Sequence, residues 1–419
     1  MEKDTQLMII GNGFDRACGL ESTYSSFFKY HYSKIFNLKN KPATEFNVEE
    51  LKDKFYKLRD DALSIFKSFH DKNNRYNELL KKYPDLKNVN CWDLIFLAMT
   101  ISQNNSKINL KWCDVEDTIL QCINSLLIKN VFPVSDPLTD FFIQQISSIT
   151  LRQTFSEGNS KDNYSLHLLN ELHKFEDTFA KYIVKLMENS NYNHNVIEMI
   201  KNLYDENSYS LSCNKISILS FNYSADMRIK NAFNEKPRFP SITHWSNIHG
   251  LAAYKNGNVR QIIGKGNEVP SPIFGVDNHD ITSFKEIDGV KKDPRFFFTK
   301  AYRLLENKVN NIREPFNYTD IKLITIMGHS LNSADYTYFI TIFNNVHLYD
   351  SDVCLEVYYY ANNNKMHDTQ EERMAIRNIS NLLINYGNTI DDFHGQNIMN
   401  KLVLEKRISI IPNHHKFKC

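Results

Sequence analysis

The chain has 419 residues, of which 42% are hydrophobic and 24% charged; 50 Lys+Arg against 49 Asp+Glu leave a formal net charge of +1. That length holds one large domain or two ordinary ones, with ample material for a core. The balanced charge gives no overall pull toward nucleic acid or an anionic membrane, and neither is an expected partner.

Taken in chain order, the first element is the apolar run LMII at 7–10, a short buried-type strand that breaks into Gly11-Asn12-Gly13-Phe14-Asp15. Residues 22–36 have helical character, with Ser22 or Thr23 available as a cap. From about 47 to 210 the chain is rich in Leu, Lys, Glu, Phe and Asn, nearly free of glycine, and repeatedly helical in period. Strand character returns at 215–221 (KISILSF), at 321–327 (IKLITIM) and at 353–361 (VCLEVYYYA), followed by an amphipathic helix at 369–386. Strands that end in Gly, Asn or Ser with helices between them predict a mainly parallel sheet. The expected architecture is therefore α/β: residues 1–46 and 211–419 form the sheet domain, and 47–210 form a large helical insertion that caps the sheet or mediates assembly.

Seven cysteines, an odd number with no CxxC pair, suggest neither a disulfide framework nor a zinc ribbon, and no metal is expected. They fit reduced thiols of a cytoplasmic protein. The charges at Glu2, Lys3, Asp4 and Asp15 argue against a signal peptide. No run approaches the roughly 18 apolar residues of a membrane span.

Six stretches could carry chemistry. Gly11 and Gly13 permit close backbone approach, and amides at a strand-to-helix turn can hold a pyrophosphate. Asp15 would repel phosphate and suits a ribose hydroxyl or a cationic ring, unless it merely caps the helix. Asn222, in Ser220-Phe221-Asn222-Tyr223-Ser224, offers donor and acceptor beyond a strand end, or closes an Asx-turn. His249, in Asn247-Ile248-His249-Gly250, titrates near neutrality and can take a proton from a hydroxyl, although a lone histidine is commonly structural. Gly328-His329-Ser330-Leu331-Asn332-Ser333-Ala334-Asp335 supplies a second candidate base and several helix caps. Glu116, in Trp112-Cys113-Asp114-Val115-Glu116, either serves the first turn of its helix or reaches a pocket. Ile273-Phe274-Gly275-Val276-Asp277 is an ordinary strand and turn when taken alone.

The succession GNGFD, WxxxE, SFNY, NIHG, IFGVD and GHSLNSAD resembles the AbiH family of bacterial abortive-infection proteins, from about residue 7 to 340. Its order is also similar to a divergent sirtuin arrangement, matched by Gly11 and Gly13, by Asn222, by His249, and by Gly328 with Ser330. This resemblance implies a Rossmann-like, sirtuin-like sheet that binds NAD as substrate. Asp15, Asn222 and His249 would act at the nicotinamide ribose. Gly11, Asn12, Gly13, Phe14, Gly328, His329, Ser330 and Asp335 would hold the nucleotide, with Glu116 in reserve. There are three departures: Asn12 stands where the sirtuin loop has a small residue between its glycines, and two more follow. Ser224 occupies the place of the usual aspartate, and the four-cysteine zinc module of protein deacylases is absent. The implied activity is hydrolysis of NAD in an infected cell after a phage-derived trigger. A nucleotide-sensing or phage-sensing binding protein and a metal-dependent nuclease remain as alternatives, and homo-oligomerisation is left open.

Overall fold

LMII extends in the structure to β1, Thr5–Ile10, in which every residue is buried. A strand covered on both faces needs no polar alternation, so a continuous apolar run suits it. The structure, a computed structural model, describes residues 5–38, 48–69, 72–102, 112–128, 139, 161–188, 190–206, 213–235, 239–252, 272–278, 281, 293–314, 317–361, 369–390 and 397–417. Five more strands follow: β2 (Lys215–Ser220), β3 (Ser241–Asn247), β4 (Ile321–Met327), β5 (Cys354–Tyr360) and β6 (Ile408–Asn413). They form one six-stranded sheet, parallel throughout, in the order β3-β2-β1-β4-β5-β6. The protein is thus α/β and Rossmann-like, with helices inserted between the strands. The edge strands β3 and β6 carry the weakest sequence signals. SITHWSN mixes polar and apolar residues, and ISIIPN is only partly buried and contains Pro412, which an edge strand tolerates.

Each face of the sheet has its own core. Leu7 and Ile9 of β1 join Leu219, Ile324, Ile326, Leu355 and Val357 against Phe339, Ile342 and Phe343 of helix Tyr336–Asn345 and Ile379, Leu382 and Leu383 of helix Thr369–Gly387. The alternate residues Met8 and Ile10 join Ile216 and Ile218 against Val196, Met199, Ile200 and Leu203 of helix Tyr192–Asp205 and Ile229 of helix Met227–Asn234. Period-two alternation in β1 therefore feeds two different layers. Burying each such aliphatic side chain contributes about 1.5–3 kcal/mol.

Register decides where the polar loops emerge. Ile10 pairs with Ser220 of β2 and Met327 of β4, and Ser220 pairs with Asn247 of β3. Four strands consequently end at one level, and the loops led by Gly11, Phe221, Ile248 and Gly328 leave the same carboxyl edge. The order 3-2-1-4-5-6 places a topological switch point between β1 and β4, where open α/β sheets collect ligands.

By compactness the chain divides into a sheet unit (1–22, 180–272, 304–419) and a helical unit (23–179, 273–303). These limits lie elsewhere than the 47–210 expected from glycine content, for two reasons. Helix Tyr192–Asp205 buries its apolar face on the sheet. Phe274 of the IFGVD stretch packs its ring against Tyr24, Phe175 and Phe179 of the helical unit. The helical unit holds the expected helix after Thr23, now Tyr24–Ile35, with the Thr23 hydroxyl accepting from the Ser26 amide. Its fully buried Glu176 accepts from the Phe274 amide at 2.7 Å and from Arg303 Nη2 at 2.8 Å, while Arg303 Nη1 donates to the Phe274 carbonyl at 3.1 Å. That ion pair fastens IFGVD to the helices.

Candidate functional site

The β1 and β4 loops are locked together at the switch point. The Gly11 amide donates to the Met327 carbonyl at 3.0 Å, and the Gly13 amide to the Gly328 carbonyl at 2.7 Å. A Cβ on Gly11 would lie 2.6 Å from the His329 Cα, and one on Gly13 2.7 Å from the Gly328 Cα. Gly328, at φ +71°, is more constrained still, because its Cβ would fall 1.9 Å from the Phe14 nitrogen. The three glycines are therefore explained by backbone packing on backbone. Phe14 is fully buried in the core beside Met8 and Ile10, and Asn12 Oδ1 accepts from the Ser22 hydroxyl.

Behind this junction lies the Asp15 carboxylate, 2% exposed. Asp15 sits inside the helix Asn12–Ala17, whose N-cap is Gly11, so it is not a capping residue. Its Oδ1 accepts from Asn222 Nδ2 at 2.8 Å and from the Tyr192 hydroxyl at 2.6 Å, and its Oδ2 accepts from the Ser224 hydroxyl. Burial pushes the Asp15 carboxyl up to about 6, against the opposing hydrogen bonds from Ser224, Tyr192, Asn222 and Ser22. The second Asn222 amide proton goes to the Gly11 carbonyl at 2.9 Å, so this side chain ties the β2 loop to the β1 loop. Ser224, found where the sirtuin resemblance expects an aspartate, holds the Asp15 carboxylate instead.

A second cluster surrounds Asp335. His249 Nε2 lies 3.8 Å from Asp335 Oδ1, and His329 Nε2 lies 3.3 Å from Asp335 Oδ2. The Leu331 amide donates to His329 Nδ1 at 3.0 Å, which leaves the proton of a neutral His329 on Nε2, facing the carboxylate. Leu331 holds a left-handed φ of 52°. The Phe221 ring meets His329 at 4.4 Å and His249 at 5.5 Å between centroids, and the Tyr338 ring meets His249 at 5.5 Å. Phe221 immediately precedes Asn222, so the two clusters are adjacent. Asn247 Nδ2 strengthens that link by donating to the carbonyls of Asn222, at 3.0 Å, and Ala225, at 2.8 Å.

Other sequence candidates lie outside these clusters. Ser330 is exposed, and its carbonyl accepts from Asn378 Nδ2 at 3.0 Å. Glu116 belongs to the helical unit, where its carboxylate meets Lys300 Nζ at 2.9 Å. The side chains of Trp112, Cys113 and Asp114 lie outside the described residues. Sequence reasoning missed Tyr192, Phe221 and Tyr338 as site residues. Tyr192 stood within the stretch assigned to the insertion. An aromatic directly before Asn222 was the one usable signal.

A parallel sheet in this order, with carboxylate, carboxamide and imidazole groups gathered at its carboxyl edge, defines a Rossmann-like protein with a candidate small-molecule site. A family model of the bacteriophage abortive infection protein AbiH matches residues 7–359. The chain belongs to the AbiH family, and that membership carries a role in abortive infection by bacteriophage. No curated protein sequence matches the chain. Among the described residues, no helix is long and apolar enough to cross a membrane.

Proposed function

We propose that this AbiH protein hydrolyses NAD at the nicotinamide–ribose bond, so that NAD depletion arrests the infected cell. The observation that carries the reading is the convergence, on one strand-end level, of Asn222 bound to Asp15 and of His249 beside Asp335. In this reaction the bond from the ribose anomeric carbon to the nicotinamide nitrogen breaks. Its electron pair neutralises the pyridinium ring, and water adds to the oxocarbenium-like carbon. The proton released by water passes to His249, and Asp335 stabilises the imidazolium that forms. Asp15 supplies fixed negative polarity, and Asn222 holds the loop that bears on the ribose. The sirtuin-like motif order supports the same assignment.

Nicotinamide release from NAD by the purified full-length protein tests the proposal, with and without phage lysate as trigger. His249→Ala and Asn222→Ala should each lower the rate about 100-fold or more while both proteins stay folded. Retention of the wild-type rate in both variants would sink the mechanism. A binding or sensing protein is the second reading, favoured because both amide protons of Asn222 and the amide of Gly13 are already engaged by protein atoms. NAD bound but never cleaved, under every trigger, selects that reading.

A further inference from the structure

Arg313 stands apart from the other buried arginines. Arg295 and Arg303, both fully buried, pair with Asp293 and Glu176. Arg407, 6% exposed, pairs with Glu405. Each guanidinium thus has the opposite charge that burial ordinarily demands. The partly buried Arg313 has no such carboxylate among the described residues. The adjacent acid, Glu314, is turned to Lys230, whose Nζ lies 2.8 Å from its carboxylate. Arg313 is held instead by neutral groups: Nη2 donates to the Ile248 carbonyl at 2.7 Å, Nη1 to Asn310 Oδ1 at 3.2 Å, Nε to the Asn247 carbonyl at 3.5 Å, and the Tyr338 hydroxyl is a further partner. Burial lowers Arg313 from its ordinary value, against the opposing influence of Tyr338 and Tyr318, which is the cost of a cation in a poorly solvating place.

Its position is informative. Arg313 grips the carbonyls immediately before His249, and its partner Tyr338 carries the ring that meets the His249 imidazole. At the switch point, by contrast, the loop expected to hold phosphates has its Gly13 amide committed to Gly328 and its Phe14 amide to Gly11. The Asp15 carboxylate behind that loop repels an anion. The positive charge that a diphosphate requires is therefore missing from the glycine loop and present at Arg313.

We infer that Arg313 is an anion-binding residue of this site and takes a phosphate or diphosphate group of the ligand. The inference rests on the nucleotide reading for the identity of the whole ligand, but the anion site itself does not depend on hydrolysis. Binding an anion gives the guanidinium its missing charge partner, and charge-assisted hydrogen bonds to phosphate are among the stronger contacts available to it.

The test uses the full-length protein and two probes, inorganic pyrophosphate and ADP-ribose, titrated calorimetrically at fixed ionic strength. Arg313→Gln should weaken both by roughly 10- to 100-fold, and Arg313→Lys should fall between it and the wild type. Should Arg313→Gln fail to fold, phenylglyoxal labelling of the wild type followed by peptide mass spectrometry replaces it, with pyrophosphate expected to shield Arg313. Wild-type protein that does not bind pyrophosphate, a folded Arg313→Gln that binds it unchanged, or unshielded Arg313 each overturns the assignment. Arg313-dependent pyrophosphate binding without any nicotinamide release upholds the anion site and rejects NAD hydrolysis. Nicotinamide release with unchanged affinity in Arg313→Gln does the reverse.

Discussion

In the helical unit, Glu176, Asp293 and Glu116 meet opposite charges, whereas at the carboxyl edge of the sheet Asp15 and Arg313 meet neutral groups. Glu176 faces Arg303, Asp293 faces Arg295 and Glu116 faces Lys300, each within a single unit. Asp15 is held by a tyrosine, a serine and an asparagine, and Arg313 by carbonyls and a tyrosine. A paired charge is spent on the fold, since its field is cancelled where it arises. A charge solvated only by dipoles keeps a field for whatever enters beside it. Buried ionisable groups of that second kind mark functional edges more often than structural cores do.

Three substitutions would break or sharpen this contrast. The largest effect belongs to Glu176→Leu, which strands the Arg303 guanidinium in the core. Denaturant unfolding should show a loss of about 3–5 kcal/mol, largely recovered in the double variant Glu176→Leu with Arg303→Met. A small loss in the single variant would show that the pair is not a fold-holding device.

Asp15→Asn should act mainly through pH. The native carboxyl titrates near 6, above its ordinary range, so the folded protein retains that proton more tightly than the unfolded chain. Its favourable contribution is complete below about pH 4 and is lost as pH rises through 6, amounting to about 2–3 kcal/mol. Asp15→Asn should remove this component, so the stability difference from wild type will change between pH 4 and pH 7. Parallel pH profiles would place the Asp15 charge in a solvated, unperturbed setting.

Tyr192→Phe is the mildest of the three. It deletes the hydroxyl that reaches both Asp15 and Ser224, and should cost about 1–2 kcal/mol. Because that hydrogen bond lowers the Asp15 carboxyl, its loss should carry the limb on which Asp15-linked stability falls with rising pH to higher pH. An unmoved limb would mean that Tyr192 packs beside Asp15 without tuning it.

Much of the architecture was legible in the residues themselves. IKLITIM coincides with β4, KISILSF with β2 and its following residue, and the apolar spacing at 369–386 with helix Thr369–Gly387. These segments are apolar on the faces that get buried, and burial imposes the period. β3 and β6 escaped because edge strands are only partly covered and tolerate His244 and Pro412. The glycine loop misled in one respect: room for a ligand and room for a neighbouring backbone demand the same residue, and at Gly11 and Gly13 the neighbour is Gly328 with His329.

Local sequence by itself determined that the segments of β1, β2, β4 and β5 become strands, and that Asn222 and His329 follow strand ends, because these depend on period and turn chemistry over a few residues. Only tertiary structure decided that Asp15 would be buried against Asn222 and Ser224, that Asp335 would sit between two imidazoles, and that Arg313 would be held by the carbonyls before His249. Those outcomes depend on strand order and register, which bring residues hundreds of positions apart into one dielectric environment, and no local pattern encodes that neighbourhood.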